Sequence, residues 1–407
     1  MIRRRTAAVR LSAITKLIDF VTPDRARAYA VLSMVLGLGI AFSLWAKAPE
    51  RLRNRVDFPA FYTAGRIINE YPRGSLYNLE LQQTSYREIA PATRTYLFFA
   101  YTPFFALFFA PLALLPYLTA FACWVLISLA LFTVGFRLAW TAASLPRRHF
   151  TTGFILALSF LPFYSWCLLI GQTSAFGFFW LALAIYLDRE GRRFVSGCAL
   201  AMLLYKPTLL LLLVPMLLVT KRWRTLAGFC AGALILGLVS LAVIGFSGIP
   251  EYLDTLAYFS RAKATGLHLI WLDVDAFSFF LPLLGKNTWL AVLVLAALVT
   301  PFLLRAWRRD PEGSFALAIT WTLVLNFYVV IYDSTLIILA VVLSAGSLAH
   351  SQLPRGFRWL LLALFVIPWV AKQSAQSYGF QPMTVAFVAF GCYQLCTTLS
   401  RQRTLVT

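Results

Sequence analysis

Apolar runs of membrane-spanning length alternate with short polar segments along most of the chain. They cover residues 28–46, 150–166, 172–187, 225–246, 288–304, 314–330, 334–349, 357–371 and 381–399. A helix needs about 20 mostly apolar residues to cross a bilayer. The pattern therefore predicts an all-α polytopic membrane protein. With the shorter and broken runs included, it predicts about 11 to 13 transmembrane helices in one domain over residues 1–407.

Two long polar segments interrupt the apolar pattern, at residues 47–97 and 247–287. Both are predicted to be external loops, on the opposite side from the basic loops. In the first, apolar side chains recur at helical spacing from Phe58 to Ile68, which predicts an amphipathic helix on the membrane surface. Asp57 precedes Pro59 and is suited to cap this helix. An ionised carboxylate at a helix N-terminus could also serve as a general base.

Residues 98–138 are apolar but contain Pro103, Pro111 and Pro116. Proline breaks or kinks a helix because it lacks a backbone N–H and its ring clashes with the preceding turn. The segment therefore holds either one long kinked span or two short spans, and the pattern alone leaves both open.

A short apolar hairpin is predicted at residues 194–205 and 207–220, with Lys206 between its arms. At 1.5 Å per residue each arm is about 18 Å long, short of a bilayer core of roughly 30 Å. Both flanks are basic, so both ends are expected in the cytoplasm. The arms would then meet at half depth, below a cavity of lipid size. A lysine there costs about 2.5–3.5 kcal/mol to insert, and we expect it to hold an anion such as a lipid phosphate. Snorkelling to an interface is the alternative.

The net charge of +20 accompanies 60% hydrophobic and only 13% charged residues. Lysine and arginine cluster in short segments between the apolar runs, as at Arg147-Arg148, Arg192-Arg193 and Lys221-Arg222. This is typical of cytoplasmic loops of membrane proteins and argues against nucleic-acid binding. The basic leader, residues 1–27, is predicted to be cytoplasmic and to precede an uncleaved membrane anchor.

Further polar candidates lie at breaks between apolar runs. Gln172 is in a Gly-Gln-Thr-Ser break, and Asp333 follows Tyr332 at a predicted outer turn. Each could instead be an ordinary solvated turn residue. His268 in the second loop is a candidate substrate-binding residue. Asp273-Val274-Asp275 is a DxD, a weak metal-site signal, and we predict neither a metal nor another cofactor.

Several short blocks occur in an order that resembles a known family. They are Asp57-Phe58 with Phe61-Tyr62 and Ala64-Gly65, then Leu76-Tyr77, the run from Tyr101 to Pro116, Gly171-Gln172, Lys206-Pro207 and Tyr332-Asp333. Over about residues 50–345 the chain resembles glycosyltransferase family 87, the mannosyltransferase-like members of the GT-C superfamily.

The resemblance implies a GT-C bundle in which Asp57 is the general base. It implies that Lys206 holds a donor phosphate, and we expect Arg66 to assist it. Tyr62, Gln172, Tyr332 and Asp333 match further positions of the family pattern and are expected to bind substrate. The family often has an aspartate after the tyrosine where this chain has Tyr77-Asn78, so Asn78 is not expected to be an essential acid.

The expected activity is an inverting transfer of a sugar, mannose by resemblance, from a polyprenyl phosphate to a hydroxyl of a glycolipid, lipid-linked or glycan acceptor. The expected location is a bacterial inner membrane, with the site facing the periplasm. The alternative is a polytopic transporter or lipid-sugar flippase, or an assembly subunit. Against transport, the candidate acids lie in external loops and no inverted repeat is visible.

Overall fold

Helices form nearly all of the regular structure in this computed structural model, which describes residues 22–47, 51–54, 56–93, 96–264, 270–348 and 353–400. Within those residues, extended pairing is limited to one isolated antiparallel bridge between Asp273 and Val330. The prediction of an all-α polytopic membrane protein is confirmed.

The α-helices are numbered in chain order. The first nine are α1 Pro23–Lys47, α2 Arg51–Asn54, α3 Phe58–Glu70, α4 Leu79–Ile89, α5 Pro103–Ala106, α6 Tyr117–Ala142, α7 Phe150–Leu158, α8 Ser174–Arg189 and α9 Arg193–Ala201. The others are α10 Leu213–Val219, α11 Trp223–Ile244, α12 Gly248–Ala264, α13 Ala276–Leu284, α14 Thr288–Arg309, α15 Ser314–Val324, α16 Ile337–Leu348, α17 Arg355–Tyr378 and α18 Pro382–Ser400.

Shorter helical turns connect these helices. The 3₁₀ turns are Ser75–Tyr77, Leu112–Leu114, Arg147–His149, Met202–Tyr205, Pro207–Leu210, Ile270–Leu272, Gly285–Asn287 and Ile331–Leu336. A π-helix, Pro162–Leu169, follows α7. Such wide turns inside helices are frequent at functional sites.

Six helical stretches among the described residues are long and apolar enough to cross a membrane, or seven if one pair bent by 60° counts as a single span. The six are Tyr117–Ala142, Trp223–Ile244, Ala276–Arg309, Ile331–Leu348, Arg355–Tyr378 and Pro382–Ser400. Helix α1 contains the first predicted span. Several other predicted spans are shorter apolar helices in the structure. Judged by length and composition, the described helices therefore give fewer crossings than the predicted 11 to 13.

The proline-rich segment at 98–138 contributes one long helix. All three prolines precede this helix. Pro103 is the first residue of the short α5, and Pro116 lies directly before α6. The 26-residue α6 then runs without interruption. The structure therefore has a single long helix here, preceded by short helical turns.

The short hairpin predicted around Lys206 is present. Its arms are Arg193–Tyr205 and Pro207–Val219, and both are too short to cross a membrane. A buried ion pair between Asp188 and Arg222 joins the chain before the first arm to the chain after the second. The same arginine donates to the Pro311 carbonyl at 2.5 Å. Both ends of the hairpin therefore lie at one level of the bundle.

The two long polar segments are largely helical. The first carries the predicted helix as α3, yet nine of its thirteen residues are buried. It is covered by protein because its aromatic face packs on other aromatic rings, as where Phe61 stacks on Phe109 at 5.0 Å. The second segment, expected as a loop, contains the 17-residue α12 and the nine-residue α13. We call the end of the bundle that carries residues 56–93 the outer end.

Candidate active site

Asp57 occupies the N-cap position of α3, but its side chain makes no capping hydrogen bond. Its backbone is already in the helical region, with φ −94° and ψ −14°. The carboxylate Oδ2 instead accepts a hydrogen bond from Gln172 Nε2 at 2.6 Å. The predicted capping role is therefore wrong: Asp57 is a half-buried residue whose carboxylate is not engaged in capping.

The chain around Gly171 holds Gln172 against Asp57. The Asp57 amide donates to the Ile170 carbonyl at 2.9 Å, and Trp124 Nε1 donates to the Gly171 carbonyl at 3.1 Å. Gly171 has φ +82°, and a Cβ on it would lie 2.8 Å from the Phe58 Cβ. Only glycine adopts this conformation and this close approach without strain. Gln172 itself is 2% exposed.

Burial raises the pKa of Asp57 to about 6, while the hydrogen bond from Gln172 opposes the increase. Removing water disfavours the charged carboxylate, whereas a donor to the carboxylate favours it. The result is a group that is mostly ionised at neutral pH and has a pKa near the working range of a general base.

Lys206 lies at the apex of the hairpin and is 6% exposed. Its ammonium forms an ion pair with Asp333. It also lies 4.9 Å from the ring centroid of Tyr328 and 5.1 Å from that of Tyr332. Cations bind aromatic faces at such distances. Lys206 is thus enclosed by one carboxylate and two aromatic rings.

Asp333 is 2% exposed, so its interpretation as a solvated turn residue is wrong. Its Oδ2 also accepts from the Val330 amide at 3.1 Å. A buried charge is tolerated when it is paired and hydrogen-bonded. The 3₁₀ turn Ile331–Leu336 and the hairpin apex are therefore joined by an ion pair between residues far apart in sequence.

A group of hydroxyls connects the Asp57 side of the site to the Asp333 side. The Tyr101 hydroxyl lies close to the side chains of Thr173, next to Gln172, and of Tyr332. Its ring stacks on Tyr205 at 5.9 Å. Sequence reasoning missed Tyr101, Thr173 and Tyr328 as site residues. The only available signals were that Tyr101 opens the long family-like block and that Thr173 follows Gln172.

The two aspartates of the DxD in the second polar segment hold neighbouring backbone and side-chain groups by hydrogen bonds. Asp275 accepts from the Ser278 amide at 2.8 Å and from the Val329 amide at 2.9 Å. Asp273 accepts from the Ser278 hydroxyl at 3.2 Å. These contacts fix the segment that carries Tyr328. The described residues contain no cluster of three or more histidine, cysteine or acidic side chains that could hold a metal ion.

Two predicted site residues lie further along α3 and have other partners. Arg66 forms ion pairs with Glu70 and Glu88, each at 3.0 Å. The Tyr62 hydroxyl donates to the Leu115 carbonyl at 2.8 Å. The structure does not bring either side chain into contact with Asp57. His268 lies outside the described residues.

The sequence model of glycosyltransferase family 87 matches residues 99–331, more than half of the chain. The chain belongs to glycosyltransferase family 87. As a family 87 protein it is a membrane glycosyltransferase, which favours the enzyme over the transporter, flippase or assembly subunit. No curated protein and no solved structure matches it.

The family 87 match covers some of the site residues and leaves others outside its range. Tyr101, Gln172 and Lys206 lie inside the matched residues, whereas Asp57 and Asp333 lie outside them. The contacts above join the two sets. A partly exposed carboxylate at the outer end, backed by a buried polar network, can accept a proton from a hydroxyl substrate.

Proposed function

We propose that the protein is an inverting glycosyltransferase in which Asp57 is the general base. Asp57 would take the proton of an acceptor hydroxyl as that hydroxyl attacks the anomeric carbon of the donor sugar. The observation that carries this proposal is the Asp57 carboxylate, held by Gln172 and with a pKa raised to about 6. A positioned base of this kind contributes roughly 10²–10⁴ to the rate.

Inversion is supported by the number of available carboxylates. A retaining double displacement needs a second carboxylate as nucleophile, about 5–5.5 Å from the first. The neighbouring Asp333 and Asp273 are almost fully buried and accept hydrogen bonds from protein groups. Asp57 is the partly exposed member of this set, and one base is sufficient for single-step transfer.

We propose a polyprenyl phosphate as the carrier of the donor sugar. A hairpin that ends at half depth would leave room within the membrane for a lipid chain, next to the site that includes Lys206 at its apex. The sugar implied by the family resemblance is mannose. The acceptor would be a hydroxyl of a glycolipid, a lipid-linked intermediate or a glycan. The basic clusters at the opposite end of the bundle favour a site facing the periplasm of a bacterial inner membrane.

The predicted contact between Lys206 and the donor phosphate stays a prediction. In the structure the ammonium is already neutralised by Asp333. We propose that the pair holds Tyr328 and Tyr332 in place, so that Lys206 and Asp333 shape the substrate site. Tyr332 would then present its hydroxyl network, with Tyr101, toward the sugar.

The test is sugar transfer from labelled polyprenyl-phosphate-mannose by membranes containing Asp57→Asn. Loss of the base should lower the rate by about 10²–10⁴ at unchanged expression. Asp254→Asn is the matched control, because it removes an exposed carboxylate from α12 at the outer end. Full activity of Asp57→Asn would reject the assignment of the base.

A further inference from the structure

We propose that Lys372 binds the phosphate of the lipid-linked donor, an inference that rests on the transfer reaction proposed above. Lys372 is an exposed residue of α17, and it was not among the predicted site residues. It lies beyond residue 331, where the family match ends. Its position, its aromatic neighbours and its lack of an acidic partner among the described residues support the assignment.

The reaction requires a cation that is free to meet phosphate. When the acceptor oxygen attacks the anomeric carbon, the bond from that carbon to the phosphate oxygen breaks and its electrons stay on the phosphate. A phosphodiester of charge −1 becomes a monoester of charge about −1.5 to −2. A fixed positive charge at that oxygen therefore stabilises the transition state more than the ground state.

The two cations expected from the sequence are already compensated by carboxylates. Lys206 is paired with Asp333, and Arg66 is paired with both Glu70 and Glu88. Each would have to lose an existing ion pair before it could bind phosphate. Lys372, in contrast, forms no ion pair within the part of the chain that the structure describes.

Two tryptophans flank the Lys372 ammonium. It lies 5.2 Å from the ring centroid of Trp271 and 6.0 Å from that of Trp166. Aromatic faces attract a cation without neutralising its charge. The two rings therefore restrict where the long side chain reaches and leave its N–H donors able to bind an anion.

The Trp166 contact connects Lys372 to the segment that holds the backbone of Asp57. Trp166 belongs to the π-helix, one turn before Ile170, whose carbonyl accepts the Asp57 amide. One turn earlier on α17, Trp369 packs on Tyr164 of the same π-helix at 6.2 Å. Helix α17 thus packs along the π-helix that precedes Ile170, the residue whose carbonyl accepts the Asp57 amide.

The second tryptophan connects Lys372 to the other side of the site. Trp271 lies two residues before Asp273, which pairs with Val330 in the isolated bridge. The Gln381 side-chain amide donates to the Trp271 carbonyl at 3.2 Å, which ties this segment to the start of α18. Lys372 therefore contacts two tryptophans, one on the segment that holds the Asp57 amide and one on the segment that carries Asp273.

An interfacial lysine beside tryptophans can also serve only as a membrane anchor. An anchor would bind any anionic lipid and would leave the kinetics of the donor unchanged. A donor-phosphate ligand would change the KM for the donor and would prefer a polyprenyl phosphate to the uncharged polyprenol.

The kinetic experiment compares Lys372→Gln, Lys372→Arg and the wild-type enzyme with labelled polyprenyl-phosphate-mannose. We expect Lys372→Gln to raise the donor KM about tenfold and also to lower kcat, because a charge-assisted hydrogen bond is lost. Lys372→Arg should retain most of the activity. Lys286→Gln is the matched control, since it removes another exposed lysine near the outer end of α14.

The binding experiment uses the full-length protein in neutral phosphatidylcholine nanodiscs. The wild type should bind polyprenyl monophosphate more tightly than polyprenol, and Lys372→Gln should lose most of this preference. An unchanged preference, or equal competition by phosphatidylglycerol in the wild type, would overturn the proposal.

Failure of this inference is distinguishable from failure of the proposed function. If Asp57→Asn is inactive while Lys372→Gln has normal donor kinetics and binding, only the phosphate assignment is wrong. If Asp57→Asn is fully active, the reaction assignment is wrong, whatever lipid Lys372 binds.

Discussion

The Asp57 side chain is subject to two opposed effects. Burial raises its pKa, and the Gln172 amide lowers it by donating to the carboxylate. Because Nε2 must donate to a carboxylate oxygen, the orientation of the Gln172 amide is fixed by chemistry. Gln172 therefore positions Asp57 and also sets the pH range in which it can accept a proton.

We predict that kcat/KM for sugar transfer falls tenfold per pH unit below about pH 6 and is flat above it. The base works only when ionised, and its pKa is raised to about 6. Gln172→Leu should move this acid limb to higher pH, lowering kcat/KM about tenfold at pH 6 through loss of a hydrogen bond to a charged group. An acid limb unmoved by Gln172→Leu would contradict this role.

The raised pKa of Asp57 also predicts how the stability of Asp57→Asn changes with pH. Measuring that stability tests whether unfolding could cause the loss of activity. A carboxyl group whose pKa is raised on folding stabilises the fold in acid, and this contribution is lost as the pH rises through about 6. The Tm of Asp57→Asn relative to the wild type should therefore rise between pH 4 and pH 6.5 and level off above that. A thermal unfolding series in detergent measures it.

The chemistry of Asp57 could be proposed from the sequence, but its surroundings could not. A carboxylate before a proline predicts a helix cap, and the helix is indeed present. The partner that replaces the capping bond, Gln172, is 115 residues away. Local spacing carries no information about such a contact. The three hydroxyl and aromatic residues that sequence reasoning missed, Tyr101, Thr173 and Tyr328, are long-range partners of the same kind.

At the scale of elements, the turn between the π-helix and α8 controls the distance between Asp57 and its partner. We predict that Gly171→Ala destabilises the protein by about 2 kcal/mol or more and lowers activity, because a Cβ would combine a positive φ with contacts of 2.8 Å to Phe58 and 2.9 Å to Phe121. Thermal unfolding and transfer assays measure both effects.

Gly191→Ala is the control for Gly171→Ala. Gly191 has φ +75°, but no atom lies within 4 Å of a Cβ placed there. It should therefore incur only the conformational cost of about 1–2 kcal/mol and retain normal kcat. Equal effects of the two substitutions would show that crowding at Gly171 is unimportant.

The ion pair at the hairpin apex makes a second prediction at this scale. Lys206→Ala leaves the Asp333 carboxylate buried without its cation, which should cost about 3–5 kcal/mol of stability. Replacing both residues, as in Lys206→Met with Asp333→Leu, should recover much of that loss. If Lys206→Ala instead raises the donor KM and leaves Tm unchanged, Lys206 binds the phosphate directly.

Elements were predicted well where the apolar pattern is long and unbroken. Helices α11 and α14 follow the predicted runs at 225–246 and 288–304 closely. Predictions were incomplete at residues 247–287, which were expected to be a loop but contain α12 and α13. Polar side chains there, such as Asp273 and Asp275, indicate a loop, although they are satisfied internally by contacts that spacing does not show.

At the scale of the whole molecule, the hairpin defines which surfaces face the same compartment. We predict that positions 190 and 221 lie on one side of the membrane and position 80 on the other. Single cysteines at these exposed sites, in a background lacking the six native cysteines, can be tested with a membrane-impermeant maleimide on intact spheroplasts.

Labelling of position 80 alone, with 190 and 221 reacting only after permeabilisation, is expected if the site faces the periplasm. Different labelling of 190 and 221 would contradict the hairpin. Labelling of both, with 80 protected, would preserve the hairpin but reverse the orientation.

The long-range contacts of the site have a consequence for biosynthesis. Asp57 is translated early, but Gln172 follows it by 115 residues, and Asp333 follows Lys206 by 127. A nascent chain that ends soon after the first polar segment therefore lacks both the donor that orients the carboxylate and the carboxylate that neutralises the buried lysine. Ribosome-bound or truncated chains ending before residue 333 should accordingly be inactive and prone to quality-control proteolysis. Activity arises only after the late helices have been inserted into the membrane.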